Sequence, residues 1–332
     1  MGIFHSPTAA AFAGEMDRLK QAHHVAVIGH IRPDGDAIGS VTGLVTMLRQ
    51  AGVTAYGYIG QPGQFADDLL TIPHAEKVRC AHGLPKAVDA AITVDCSTLD
   101  RTGTLQTGLE KLLKANPQAL INVDHHASNT NFGSLNLVEA ERESVTAILF
   151  GYIQPLASYG VHLNLTLAHQ LYAGLVTDTG SFRWGNPAMF SVAAELVAVG
   201  LDTQSIAFDL MDHVSVDDLK FRGEALSRIQ VIEVGALRLA LIAATHDLIE
   251  GRAAGAVESL VEFVRAADET DIGVVFKELA PGSWTVSLRS RTVDVAAIAT
   301  RLGGGGHTAA AGYSATGTVA DLTNALVAAI AQ

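Results

Sequence analysis

Residues 119–126 read "ALINVDHH", a largely apolar run that stops in one acid and two adjacent imidazoles, Asp124, His125 and His126. So short and hydrophobic a run suits a strand buried on both faces. Neighbouring side chains of a strand point to opposite faces, so His125 and His126 cannot share a face while the chain stays extended. "HHVAVIGH" (23–30) and "AAITVDCS" (90–97) have the same form, and "TAYGYIG" (54–60) reads as a further strand. Between them lie the helical patterns "DAIGSVTGLVTMLRQAG" (36–52), closed by Gly52, and "GLEKLLKAN" (108–116). This βαβ rhythm predicts an α/β fold with a mainly parallel sheet and helices on both faces.

Further along, "ESVTAILFGYIQPLA" (143–157) and "LTLAHQLYAGLVTDTGSF" (165–182) read as helices, the second ending near Gly180. Residues 1–187 are expected to form the first domain, and 188–222 a helical linker. Residues 223–332 then form a smaller C-terminal α/β domain. In it "LRLALIAA", "DIGVVFKEL" and "SWTVSLRSR" are strand-like, with helices at about 253–267 and 294–302. The strongest punctuation is "GGGG" at 303–306.

A chain of 332 residues with 48% hydrophobic content can bury two cores. Its formal net charge of −12 argues against a broad basic surface for long or duplex nucleic acid. It leaves room for a small anionic ligand held by a few placed arginines. The two cysteines, Cys80 and Cys96, form no CxxC pair, which suits a reducing compartment. No run of 18 apolar residues predicts a membrane span, and the N-terminus lacks the form of a secretory signal, so a cytoplasmic location is expected. "MGIFHS" (1–6) fits the N-myristoylation pattern, but so short a match is common by chance.

In a parallel sheet, ligands gather at the carboxyl ends of the strands. "GHIRPDGDAIGS" (29–40) places His30, Asp34 and Asp36 there; "TVDCS" adds Asp95, and "NVDHH" adds Asp124, His125 and His126. "GLVTDTGSFRW" (174–184) supplies Asp178 at the end of a helix. One such Asp alone would read as a helix N-cap. So many carboxylates buried together require a neutralising cation. Carboxylate and imidazole without thiolate suit manganese, or another borderline divalent ion, better than a structural zinc, with magnesium or cobalt as the other candidate ions. The donors suffice for two ions.

The order "HxRPDGDAxGS … VDCS … VDHH … TDTGSF" resembles the DHH phosphoesterase superfamily, which includes RecJ exonucleases, family II pyrophosphatases and the small oligoribonuclease and phosphoadenosine-phosphate (pAp) phosphatases of the NrnA type. "VSLRSRTVDVAAIATRLGGGGHTAAAGYS" (286–314) resembles the DHH-associated C-terminal domain with its GGGGH motif. The resemblance implies a division of ligands. His30 and Asp34 would bind one manganese ion and Asp36 the other, with Asp95 bridging and His125 and Asp178 completing the second site. It places His126 near the scissile phosphate, as a stabiliser of developing charge or a proton donor. Asp124 would orient a histidine from behind the metal ligands or serve a structural turn. Attack on phosphorus by water activated between the ions, with Asp95 and His126 as the catalytic pair, is the implied chemistry.

For the C-terminal motif, a glycine run lets backbone N–H groups approach an anion. Arg289 and Arg291, two apart on a strand-like segment, share a face and suit phosphate. Arg289, Arg291, Gly303, Gly304, Gly305, Gly306 and His307 are therefore the candidate substrate-binding residues. The leading expectation is a manganese-dependent hydrolase of short RNA, pApA-type dinucleotides and pAp. A cyclic di-AMP phosphodiesterase is the alternative within the enzyme class, and a catalytically silent nucleotide sensor the alternative outside it. Similar proteins imply a homodimer.

Overall fold

The computed structural model describes residues 6–252 and 254–331. The N-myristoylation pattern falls almost wholly on residues outside that range. Two compact units are present, Met1–His213 and Val214–Gln332.

The first unit is built on a six-stranded sheet: β1 (Val25–Gly29), β2 (Ala55–Ile59), β3 (Arg79–Cys80), β4 (Ala90–Val94), β5 (Leu120–Asp124) and β6 (Leu135–Val138). The spatial order is β3-β2-β1-β4-β5-β6, and every pairing is parallel. The chain therefore grows outward from β1 in one direction, then returns to β4 and grows in the other. The crevice between the carboxyl ends of β1 and β4 is the switch point where open α/β sheets bind ligands. Every residue of β1, β4 and β5 is buried. Successive side chains enter different cores: Val25 and Val27 join Ile92, Ile121 and Val123 on one face. Ala26 and Ile28 join Ala91, Leu105, Leu109 and Leu120 on the other. Two covered faces explain why these strands are almost without polar interruption.

Three helices frame the crevice: α1 (Gly35–Gln50), α2 (Val145–Tyr152) and α3 (Leu165–Asp178). Helices α1 and α3 run antiparallel along a glycine stripe. A Cβ on Gly35 would meet the Thr177 side chain at 2.5 Å, and one on Gly39 the Gln170 carbonyl oxygen at 2.5 Å. One on Gly174 would meet the Asp36 carboxylate and the Thr146 hydroxyl region at 2.5 Å. This close approach brings the first turn of α1, with Asp36, against the last turn of α3, with Asp178.

The second unit holds a mixed six-stranded sheet: β7 (Gln230–Val234), β8 (Leu237–Ala244), β9 (Ile272–Ala280), β10 (Ser283–Arg289), β11 (Gly305–His307) and β12 (Ala310–Thr316), in the order β11-β12-β10-β9-β8-β7. Only the β8–β9 pair is parallel. Leu239 and Leu241 face a core with Ile298, Leu322 and Leu326, while Ala240 and Ile242 face Phe221, Leu260 and Val264. The segment 188–222, read from sequence as one linker, is divided between the units. Helix Ala188–Val197 packs on the first core through Met189, Val192 and Leu196, whereas Phe221 lies in a core of the second.

Replacing Gly39 by Ala is expected to destabilise the chain by about 1–3 kcal/mol, because the new methyl meets backbone that cannot rotate away. Gly43→Ala, whose methyl would meet only side chains, the nearest being Leu171 at 3.2 Å, serves as the milder control. Urea unfolding followed by circular dichroism reads the difference.

Candidate metal centre

His30 follows β1, Asp95 follows β4, and Asp124 ends β5 with His125 and His126 immediately beyond. Asp34 and Asp36 lie at the start of α1, and Asp178 at the end of α3. His30 Nε2 lies 3.3 Å from Asp95 Oδ2 and 3.6 Å from Asp34 Oδ2. His125 Nε2 lies 3.5 Å from Asp95 Oδ1 and 3.5 Å from Asp178 Oδ2. Ligand atoms of His30, Asp34 and Asp95 fall within 4.8 Å of one another, as do those of Asp36, His125 and Asp178. Asp95, His125 and His126 form a third such group.

The second nitrogen of each imidazole orients its ring. His30 Nδ1 donates to the Ile31 carbonyl at 2.9 Å, and His125 Nδ1 to the Arg142 carbonyl at 3.2 Å. Both Nε2 atoms therefore face the carboxylates, the nitrogen that metal-binding histidines usually offer once deprotonated. His126 is turned the other way: its Nδ1 donates to Asp124 Oδ1 at 2.8 Å, leaving Nε2 for another partner.

The sequence argument about opposite faces needs correction here. Strand β5 stops at Asp124, so alternation lapses before the histidines. Their rings touch edge to face with centroids 4.5 Å apart, and both approach Asp95 Oδ1. They are distinguished by what holds Nδ1, not by the strand.

For Asp34 the capping and ligand readings are compatible, because a carboxylate has two oxygens. Asp34 caps α1 by accepting from Ala37 N through Oδ1 and turns Oδ2 to His30. Asp36, fully buried, accepts from Val145 N at 2.7 Å and from Thr146 N and Oγ1 at 3.0 and 2.8 Å, closing the N-terminus of α2. Asp95 is 3% exposed, sits at φ +58° and leaves Oδ1 without a hydrogen-bond donor. A non-glycine residue in that region is uncommon and needs surrounding structure to hold it.

The electrostatics show a site crowded with negative charge. Burial, reinforced by Asp95, pushes the Asp36 carboxyl up to about 7. Burial and the charges of Asp36, Asp34 and Asp95 push Asp178 well above the usual carboxylate range. Burial opposes the charged form of His30, but Asp34 and Asp95 outweigh it and raise its pKa to about 10. His125 is likewise raised to about 10 against burial, by Asp95, Asp36 and Asp178. The imidazoles hold protons where cations belong. An orphaned carboxylate oxygen, nitrogen and oxygen donors, and a neighbouring Cys96 whose burial keeps it a thiol all fit hard or borderline divalent ions.

Sequence reading missed three residues around this centre. Asn129 donates to Asp124 Oδ2 at 2.6 Å and to Asn122 Oδ1 at 3.0 Å. Thr146 holds Asp36, and Arg101 brings a guanidinium nitrogen to 3.0 Å from His30 Nδ1. None lies in a run of acids or imidazoles, so no local signal marked them.

In the second unit, Arg289 and His307 both pair with Ala310, from β10 and β11 respectively. Residues directly opposite share a face, so these two side chains stand in one row about 10 Å apart with a small residue between. Arg291 lies beyond the end of β10 and is exposed, so strand alternation does not place it with Arg289. Arg289 Nε lies 3.6 Å from Glu262 Oε1. The glycine run is not a free nest. Gly303, at φ +79°, and Gly304 donate to the Thr300 and Ala299 carbonyls, a Schellman closure of helix Val295–Arg301. Their N–H groups are unavailable to an anion. Gly305, Gly306 and His307 form an exposed edge strand, where alternate N–H groups remain unpaired.

Residues 24–175 match the DHH family, N-terminal domain, and residues 241–332 the DHHA1 domain. The chain belongs to the DHH family of phosphoesterases and carries its DHHA1 partner domain. It is 31% identical over 301 residues to the bifunctional oligoribonuclease and PAP phosphatase NrnA of Thermus thermophilus, covering 88% of this chain and 84% of that one. An exopolyphosphatase-related protein from Bacteroides fragilis superposes with a TM-score of 0.83 at 22% identity, over 99% of this chain and 97% of that one. The exonuclease RecJ solved with manganese superposes at 0.61 and 14% identity, over 100% and 96%. Both structures share the fold.

Asp124 is fully buried and is the largest cause of the raised His126 pKa. In the chelated chain, Asp124→Asn removes the charge that favours imidazolium. The His126 titration, followed by NMR of its ring protons, is therefore expected to move to lower pH.

Proposed function

We propose that the chain is a divalent-metal phosphoesterase that cleaves short oligoribonucleotides and pApA-type dinucleotides to mononucleotides and removes the 3′-phosphate of pAp. The observation that carries the reading is the convergence of six nitrogen and oxygen ligands at the switch point around an Asp95 oxygen without a donor. The name of the Thermus relative supplies the substrate class. The net charge of −12 favours short substrates over long strands, which need a continuous basic channel.

In this reading His30, Asp34 and Asp95 hold one ion, and Asp36, His125, Asp178 and Asp95 the other, with manganese the favoured metal. Two such ions supply Lewis-acid polarisation of a phosphoryl oxygen and a lowered pKa for bound water. The remaining work belongs to the chain. Asp124 and Asn129 fix the His126 ring so that Nε2 is the free nitrogen, and that nitrogen holds the proton for the leaving oxygen. The backbone N–H groups of Val145 and Thr146 hold Asp36 in one orientation. Arg289 and His307, in one cross-strand row, are the substrate phosphate grip.

Hydrolysis of pApA, pAp, cyclic di-AMP, short RNA and pyrophosphate with manganese, compared by kcat/KM, tests the reading. Turnover of pApA and pAp, its loss with chelator, near-background rates for Asp95→Ala, and a fall of about 10²–10⁴-fold for His126→Ala are expected. Pyrophosphate turned over as fast as pApA, or an Asp95→Ala variant at full rate, would overturn it.

Ion binding is also expected to release protons. His30 and His125, with pKa values raised to about 10 in the ion-free chain, are charged at pH 7 and must become neutral to ligate. Manganese affinity should therefore rise with pH up to about 10. Calorimetry in buffers of different ionisation enthalpy measures the protons released.

A further inference from the structure

The segment after Asp178 carries an aromatic residue that the metal site does not use. Gly180, Ser181 and Phe182 are three consecutive residues in the left-handed region, at φ +53°, +60° and +63°. Two of them are not glycine, a conformation that needs outside support. The Thr179 hydroxyl accepts from Phe182 N, and the Phe182 ring lies between Tyr172 and Phe190, with centroids 5.9 Å away on each side. The turn throws Trp184 back over the end of α3. Its indole N–H donates to the Asp178 carbonyl at 2.7 Å, and a Cβ on Gly180 would lie 2.2 Å from the ring. Asn186 N donates to Glu143 Oε1 at 2.8 Å, beside Arg142, whose carbonyl holds His125. Arg183 donates to the Gly180 carbonyl and brings its guanidinium to 5.6 Å from the Trp184 ring.

The turn of Trp184 is thus tied to Asp178 itself and to Glu143, the chain neighbour of the Arg142 that holds His125, yet Trp184 remains 50% exposed. An indole placed for packing alone would be buried with its neighbours, as Trp284 is at 3%. We infer that Trp184 is the nucleobase platform of the site, on which a base of the substrate stacks while Arg183 faces an adjoining phosphate. This rests on the nucleotide-hydrolase reading above. Stacking of a base on an aromatic ring is tolerant of base identity and is strong enough to set KM for a substrate of one or two nucleotides.

Kinetics on pApA with manganese, for wild type, Trp184→Leu and Trp184→Phe, test the inference. Trp184→Leu should raise KM about tenfold and leave kcat within about twofold, with Trp184→Phe close to wild type. An abasic analogue of the dinucleotide should show the same KM in all three proteins. The chain has two tryptophans, so Trp284→Phe leaves Trp184 as the sole indole. AMP should quench its fluorescence and ribose 5-phosphate should not. An unchanged KM for pApA, an equal rise for the abasic analogue, or no selective quenching would overturn the platform. Wild type that fails to cleave pApA would overturn the function instead, and the AMP titration would still decide on Trp184.

Discussion

The close contact of the helices Gly35–Gln50 and Leu165–Asp178 is the constraint on which the centre depends. Glycines at 35, 39 and 174 let two helix backbones approach where any Cβ would strike carbonyl, carboxylate or side-chain atoms. The approach brings a carboxylate from the first turn of one helix to a carboxylate from the last turn of the other. A helix C-terminus carries negative partial charge, so Asp178 is poorly placed on its own account. In the metal-binding reading proposed above, cations held by the neighbouring carboxylates and imidazoles would offset that cost. The same contact therefore creates both the electrostatic cost and the means of relieving it.

Structural and chemical duties are combined in single carboxylates. Asp34 caps its own helix, Asp36 closes the N-terminus of another, and each keeps part of its carboxylate in the cluster. Removing either is expected to disturb a helix end as well as the charge balance. Asp95 differs in having no such second duty for Oδ1, and its left-handed backbone is held by its position between β4 and β5.

How much was legible in the sequence follows from how local each signal is. Strands β1, β2, β4 and β5 announce themselves by short apolar runs, and the acids and imidazoles at their ends were readable for the same reason. The two-residue β3 and the half-buried β6 carry too little pattern to be read. The strand order, and so the switch point, is a property of the whole chain. Asn129 and Thr146 act through single long-range hydrogen bonds, which no neighbouring residue reveals. The glycine run at 303–306 illustrates the opposite error. Its composition suggested an anion nest, whereas two of its four glycines end a helix, and one of these, Gly304, packs closely on Gly312 and Tyr313.

The cluster gathers side chains from four separate stretches of chain, the first at His30 and the last at Asp178. No shorter piece of the chain contains it. During synthesis, the ribosome releases most of the sheet before the helix that carries Asp178 has emerged. In the metal-binding reading, a first unit without that helix lacks one of its ligands, Asp178, and the full set is assembled only when the helix docks. Ions that prefer the finished cage favour the folded state by mass action. The final docking step is thus the one that ion availability in the cell can pull to completion.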